Sequence, residues 1–168
     1  MNWSLCPGNE TPNAYERFDL YGGSIFPSCV FGGSILVEGW QCYYENFQNG
    51  IDHSGGENAI ADIFIDFSDS DNLIVEADIG FSVTVPVETR VIFALSCRNP
   101  DVASWDYVVI DSSEPIIIDD TSAGSSNYFE YQFSPEDLIL YEMEFLPENY
   151  YAVVIVQEWI SKKILQAQ

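Results

Sequence analysis

Two segments in the second half of the chain interleave acidic and aromatic residues in a pattern that suits binding. One covers residues 127–133 and the other residues 141–145. If both are strands, alternation turns one set of side chains toward a core and leaves carboxylates on the opposite face. Together with an aromatic and acidic pair just upstream, these positions predict a partner-binding surface: Tyr128, Glu130, Glu142, Glu144, Trp105 and Asp106.

Such a surface has the chemistry of a protein interface. Exposed aromatic side chains contribute contact energy, and the surrounding carboxylates steer association and fix its register. The alternative is an ordinary wetted sheet face whose surplus acid keeps the protein soluble. Because residues 99–161 contain no Lys or Arg at all, we favour the binding role.

A second group of acidic residues has the composition of a calcium site. Asp66, Asp69 and Asp71 fall around one predicted turn, and hard cations take several oxygen ligands from flexible loops. The segment lacks the glycine and the distant glutamate of an EF-hand loop, so a solvated acidic turn is the alternative. A second acidic turn combines Asp111, Glu114, Asp119 and Asp120. We predict no cofactor.

Catalytic motifs are missing from the sequence, and we expect no enzyme. His53 is the one histidine, it lies in a glycine-rich polar stretch, and no Gly-x-Ser-x-Gly elbow or phosphate-binding loop is present. Glycosidase-type carboxylate pairs depend on a separation in space that a sequence does not give. The four cysteines form no Cys-x-x-Cys pair, so we expect free thiols and no zinc site.

Charge narrows the class of partner. Five basic residues face 27 acidic ones among 168, for a formal net charge of −22. Nucleic acid and anionic membrane are disfavoured as direct ligands, since binding either requires Lys and Arg against phosphate. The N-terminus has no basic start followed by an apolar stretch, and no apolar run is long enough to cross a bilayer. We therefore expect a cytoplasmic protein.

Two-residue alternation predicts the elements that position these side chains. It is clearest over residues 73–87 and recurs over 59–67, with turn-forming residues 68–72 between them. Further short strands are predicted at 91–96, 107–110, 115–118, 127–133, 139–145 and 150–159, the last as a central strand. The pattern indicates a single domain, residues 1–168, that is mainly β: an antiparallel sandwich or a partly closed barrel.

Helix signals are few, and we predict at most one or two short helical turns. Ser134 and Pro135 can start one turn, and residues 161–168 can form a short terminal helix. Residues 49–57 and 121–126 read as polar loops, and the Gly-Gly-Ser sequences at 22–24 and 32–34 as turns.

These features lead to two hypotheses of different class. The first is an acidic binding protein that inhibits or holds a basic partner, in the manner of immunity proteins, nuclease inhibitors or DNA mimics. Its partner would be a toxin, a nuclease or a DNA-binding protein. The second is a β-sandwich structural or assembly module that binds calcium through its acidic turns.

Overall fold

Ten strands and two helices make up the part of the chain that a computed structural model describes, residues 14–24, 28–33, 35–38, 44–55, 58–69, 72–98, 106–134 and 150–168. The helices are α1 (Ala14–Leu20) and α2 (Tyr44–Gly55). The strands are β1 (Ser28–Phe31), β2 (Ile35–Glu38), β3 (Ala61–Asp69), β4 (Ile74–Phe81), β5 (Thr89–Arg98), β6 (Asp106–Ser112), β7 (Ile116–Ile117), β8 (Ser126–Gln132), β9 (Tyr150–Glu158) and β10 (Ile164–Ala167). Neither helix is long and apolar enough to span a membrane.

All of the described strand pairs are antiparallel. Strands β3, β4 and β8 form one sheet in that order, and β10, β9, β5 and β6 form a second, in which β7 also pairs with β5. Strands β1 and β2 form a separate hairpin. The sheets do not close into a barrel, which confirms the predicted β fold and selects the sandwich over the barrel. Strand β9 lies inside its sheet, as its apolar sequence predicted.

The core lies between the two larger sheets. Strand β4 alternates buried and more exposed positions, and its inward residues Val75 and Ile79 are fully buried. Phe93 of β5 stacks on Tyr131 of β8 with ring centroids 5.6 Å apart, so an aromatic contact joins the two sheets directly. Tyr131 in turn meets Phe133 edge-on at 4.9 Å. Offset and edge-on ring pairs add to the stabilisation that burial alone provides.

The outer face of the five-stranded sheet is also covered. Ile92 and Ala94 point away from the core, because their neighbours Val91 and Phe93 point into it, yet both are buried. Helix α1 contributes to this cover through Arg17, which donates from Nη1 to Oε1 of the buried Gln157 at 3.1 Å. Gln157 Nε2 donates to the Tyr21 hydroxyl at 3.0 Å and to the carbonyl of Lys162. A side-chain network therefore fastens α1 to β9.

The β1–β2 hairpin docks onto the same part of the sheet. The amide of Ile164 donates to the carbonyl of Gly32 at 2.9 Å. Gly33 has a φ of 76°, and a Cβ there would overlap the carbonyl oxygen of Lys162. Both the left-handed backbone and the close approach require glycine at this position. The predicted Gly-Gly turn is thus a docking point for β10.

Helices and the C-terminal segment depart from the sequence predictions. Residues 49–55, predicted as loop, belong to α2, where Gln48 and Asp52 are hydrogen-bonded one helical turn apart at 2.8 Å. The tail contains strand β10 and not the suggested helix, because it pairs with β9 after a turn in which Lys162 adopts a φ of 66°. The helical turn starting at Ser134, the strand at 139–145 and all four cysteine side chains lie outside what the structure describes.

Candidate partner-binding face

The outer surface of the three-stranded sheet carries the acidic and aromatic side chains that suit binding. Strands β3, β4 and β8 each turn alternate residues away from the core, and the pairing register aligns these residues in rows across the sheet. Neighbouring strands lie about 4.8 Å apart, so side chains within a row are in contact range. We call this surface the acidic face; its members are Asp62, Phe64, Asp66, Glu76, Asp78, Tyr128 and Glu130.

One row of the acidic face places a carboxylate between two aromatic rings. Phe64 pairs with Asp78, and Asp78 pairs with Tyr128 on the other side. The two aromatic side chains are 73% and 58% exposed, respectively. Aromatic side chains with this much exposure on a sheet face are available as anchors for a partner.

The adjacent row consists of three carboxylates. Asp66 pairs with Glu76, and Glu76 pairs with Glu130. Like charges directly opposite each other destabilise a sheet, by up to about 1 kcal/mol for each pair. The sequences of β3, β4 and β8 contain no Lys, Arg or His that could neutralise the row. A cationic partner could relieve this repulsion, because it would bring the opposite charge to the row.

Tyr128 links the two rows. Its hydroxyl donates a hydrogen bond to the carboxylate of Glu76, which lies in the carboxylate row. The pKa of Tyr128 is raised by partial desolvation of its hydroxyl, then by the charge and hydrogen bond of Glu76 and by the charges of Glu130 and Asp78. All of these effects disfavour a phenolate. Tyr128 thus remains a neutral hydrogen-bond donor held beside three carboxylates.

The structure places the predicted binding residues unevenly. Tyr128 and Glu130 lie on the acidic face, as the alternation of β8 predicted. Glu142, Glu144 and Trp105 lie outside the described residues. Asp106 begins β6 opposite Arg98, and its side chain is not among those described.

Four members of the acidic face were not among the predicted site residues, namely Asp62, Phe64, Glu76 and Asp78. Their signal is the period of two, which puts Phe64 on the same side as Asp62 and Asp66 in β3. The alternation of β4 likewise places Glu76 and Asp78 outward. That β4 lies beside β8 depends on pairing between segments about fifty residues apart, which local patterns do not encode.

Calcium binding by Asp66, Asp69 and Asp71 stays a prediction. Asp66 is exposed on the acidic face, the side chain of Asp69 is not described, and Asp71 lies outside the described residues. Within the described ranges, no three His, Cys, Asp or Glu side chains are grouped so that they could hold a metal ion.

In the second acidic turn, two carboxylates accept hydrogen bonds from backbone amides. Asp111 is buried and accepts from the amides of Ser112 at 2.7 Å and Ser134 at 3.1 Å. Asp120 accepts from the amide of Ser122 at 3.0 Å. This bond, with a second from the Ser122 side chain, lowers the pKa of Asp120. Asp120 therefore stabilises its local turn, whereas Asp111 ties residue 134 to the end of β6.

His53 lies at a cleft of about 510 Å³ between α2 and the β1–β2 hairpin. The cleft is lined by residues 35–37 of β2 and by Asn46, Asn49, Gly50 and His53 of α2. None of these lining residues, within the described part of the chain, carries a carboxylate, a serine hydroxyl or a thiol.

Comparison with known proteins finds no matching family model and no matching curated protein. Among solved structures, the chain is similar to a domain of the outer membrane lipoprotein Omp28 from Porphyromonas gingivalis, with a TM-score of 0.37 and 15% identity over 67% of this chain and 87% of that one. It is also similar to a β-glucosidase from Kluyveromyces marxianus, with a TM-score of 0.32 and 14% identity over 64% of this chain and 14% of that one.

Proposed function

We propose that the protein is an acidic binding protein that holds or inhibits a basic protein partner through the acidic face. One observation carries the proposal: Phe64 and Tyr128 stand exposed in one row, with Asp78 between them and a row of three carboxylates alongside. An apolar anchor surrounded by charge of one sign is the arrangement from which protein interfaces draw both contact energy and steering.

The two rows have different tasks in this proposal. The rings of Phe64 and Tyr128 supply apolar area that leaves water when a partner covers them. The carboxylates of Asp66, Glu76 and Glu130 repel one another in the free protein, so Lys or Arg from a partner gains more there than at an isolated acid. Binding is therefore selective for a surface that combines basic and apolar groups.

The partner class follows from this chemistry. Proteins that bind nucleic acid carry clustered Lys and Arg that match phosphate spacing. Such a cluster is complementary in charge to the carboxylates of the acidic face. A toxin, nuclease or DNA-binding protein meets this description. The acidic face then occupies the surface of this partner that nucleic acid would otherwise contact, so the protein regulates the partner by binding it directly.

The test is recovery of a partner from the native host with the immobilised full chain, followed by affinity measurements with the purified partner. We expect a basic protein whose affinity falls as salt rises, because exposed charges are screened. Tyr128→Ala and Phe64→Ala should each weaken binding by about tenfold or more. Tyr15→Ala is the matched control, since Tyr15 is 55% exposed on α1, on the other side of the sandwich.

Two results would overturn the proposal. One is an affinity that does not change between low and moderate salt. The other is equal loss of binding in Tyr15→Ala and Tyr128→Ala, which would mean that the acidic face has no special part in recognition.

A further inference from the structure

Two neighbouring turns at one end of the five-stranded sheet expose aliphatic side chains. In the turn before β5, the amide and the hydroxyl of Thr89 both donate to the carbonyl of Pro86, at 3.0 and 2.7 Å. The turn after β9 is joined to it by the amide of Trp159, which donates to the carbonyl of Glu88 at 3.0 Å. At the tips of these turns Val87 is 75% exposed and Ile160 is 74% exposed.

An arginine and a tryptophan complete this surface. The guanidinium of Arg90 lies 4.3 Å from the ring centroid of Trp159, a cation–π contact. Its Nε is buried and has no hydrogen-bond acceptor among the described residues. Ile117 of β7 pairs directly with Arg90, shares its face and is 55% exposed. Arg and Trp are the residue types most enriched at the energetic centres of interfaces.

The same end of the molecule collects most of its positive charge. The chain has only five basic residues, Arg17, Arg90, Arg98, Lys162 and Lys163. Arg17 donates to Gln157, which pairs with Arg90, and Lys162 and Lys163 belong to the turn between β9 and β10. In a protein of net charge −22, this is where four of the five bases gather.

We propose that this surface is where two copies of the chain associate around a two-fold axis. We call it the dimer patch and define it by Val87, Glu88, Arg90, Ile117, Trp159 and Ile160. Two chains of charge −22 repel each other through their acidic surfaces, so they approach most closely where the bases offset the acids. The aliphatic tips then provide apolar area that is buried between the copies.

The dimer patch is also self-complementary in charge. A two-fold axis brings residue i of one copy to residue j of the other and the reverse. Glu88 is exposed two residues before Arg90, so each arginine can face the glutamate of the other copy. The patch comprises six residues of each copy, fewer than the roughly 20–30 on each side of a standard interface, so the association is weak and reversible.

Salt distinguishes this contact from binding at the acidic face. Raising ionic strength from 0.01 M to 0.15 M shortens the screening length from about 30 Å to about 8 Å. Screening removes the long-range repulsion between two acidic chains and leaves apolar contact intact. Dimerisation therefore strengthens with salt, whereas capture of a basic partner weakens. The inference does not depend on the proposed function.

Sedimentation equilibrium of the full chain, from about 1 μM to about 1 mM, tests the inference at low and moderate salt. We expect a monomer–dimer equilibrium that shifts to dimer as salt rises. Ile160→Glu places one new carboxylate from each copy in the patch and should raise the dimer dissociation constant at least about tenfold. Phe64→Glu is the matched control, since Phe64 is 73% exposed and the same charge is added on the acidic face.

Circular dichroism establishes that both variants are folded before their masses are compared. A monomer at every concentration in both salts overturns the inference, and so does a dimer that dissociates as salt rises. Equal effects of Ile160→Glu and Phe64→Glu also overturn it, because they would reflect added charge and not the dimer patch.

Discussion

The outer faces of the two larger sheets differ in how far their side chains are exposed to solvent. In the five-stranded sheet, Ile92, Ala94 and Gln157 point outward and are nevertheless buried, and α1 is fastened to Gln157 through Arg17. In the three-stranded sheet, Phe64 and Tyr128 point outward and stay exposed among carboxylates. On the first face, these outward side chains are buried and help to stabilise the fold. On the second face most of the outward side chains remain exposed to water.

The largest expected difference in the free energy of unfolding is between substitutions of two phenylalanines, one in the core and one on the acidic face. Phe93 is fully buried between the sheets, and Phe93→Ala should lower the free energy of unfolding by about 3–5 kcal/mol. Phe64→Ala should change it by less than about 0.5 kcal/mol, because the ring is already in water. Urea unfolding of the two variants measures both. Comparable losses would mean that Phe64 belongs to the core and that the acidic face is not a free surface.

Two glutamines, one buried and one exposed, extend the test to polar side chains. Gln157 bridges Arg17, Tyr21 and the Lys162 carbonyl, so Gln157→Ala should cost about 2–4 kcal/mol by removing buried hydrogen bonds, one of them to a charged group. Gln132 is exposed and donates to the carbonyl of Asn72 at 3.3 Å. Gln132→Ala should stay within about 0.5 kcal/mol of the native protein. Thermal or urea unfolding measures the free energy of unfolding of both variants. Equal losses of stability would contradict the idea that α1 is held by this network.

The smallest effect is expected at Glu76, in the middle of the carboxylate row. Glu76→Gln removes a charge between Asp66 and Glu130 and should stabilise the fold by about 0.2–1 kcal/mol at low salt. The gain should fade at high salt, where the repulsion is screened. An unchanged or lower stability at low salt would show that these carboxylates do not repel one another measurably.

The same substitution should be visible at Tyr128. Desolvation and the Glu76 carboxylate hold the pKa of Tyr128 above its ordinary value, so Glu76→Gln should lower it. A raised pKa in the folded state favours the neutral phenol. Its contribution to stability is therefore complete below the unfolded pKa and is lost as pH rises through the folded pKa. Ultraviolet titration of tyrosine, with Tyr128→Phe to identify the signal, measures the shift.

Prediction from sequence succeeded where the two-residue alternation of apolar side chains alone decides which side of a strand faces the core. The alternation over 59–67 and 73–81 fixed the faces of β3 and β4, and that of β8 placed Tyr128 and Glu130 outward. The predicted strand continued to residue 87, but β4 ends at Phe81 and residues 82–88 form bends and a turn. The neighbours of Tyr128 and Glu130 could not be obtained this way. They turn out to be Asp78 and Glu76, because strand order is decided by long-range packing.

Helix α2 shows where local rules mislead. Gly50, Asp52 and Gly55 disfavour a helix, and their weight suggested a loop. Tyr44, Phe47 and Ile51 nevertheless recur at spacings of three and four, a signal that was present in the sequence. The tail misled in the other direction, since Lys162 and Lys163 suggested a helix and pairing with β9 produced a strand.

Among the described residues, four bases lie around the β9–β10 turn and the acidic face lies on the other large sheet, so these two groups form opposite ends of an electric dipole. A molecule of this kind turns in the field of a charged neighbour before the two touch. If the partner is the basic protein proposed above, this dipole would turn the acidic face toward it, so more of the diffusive encounters would begin at that face. Distributing the same five bases evenly over the surface would keep the net charge and lose this alignment.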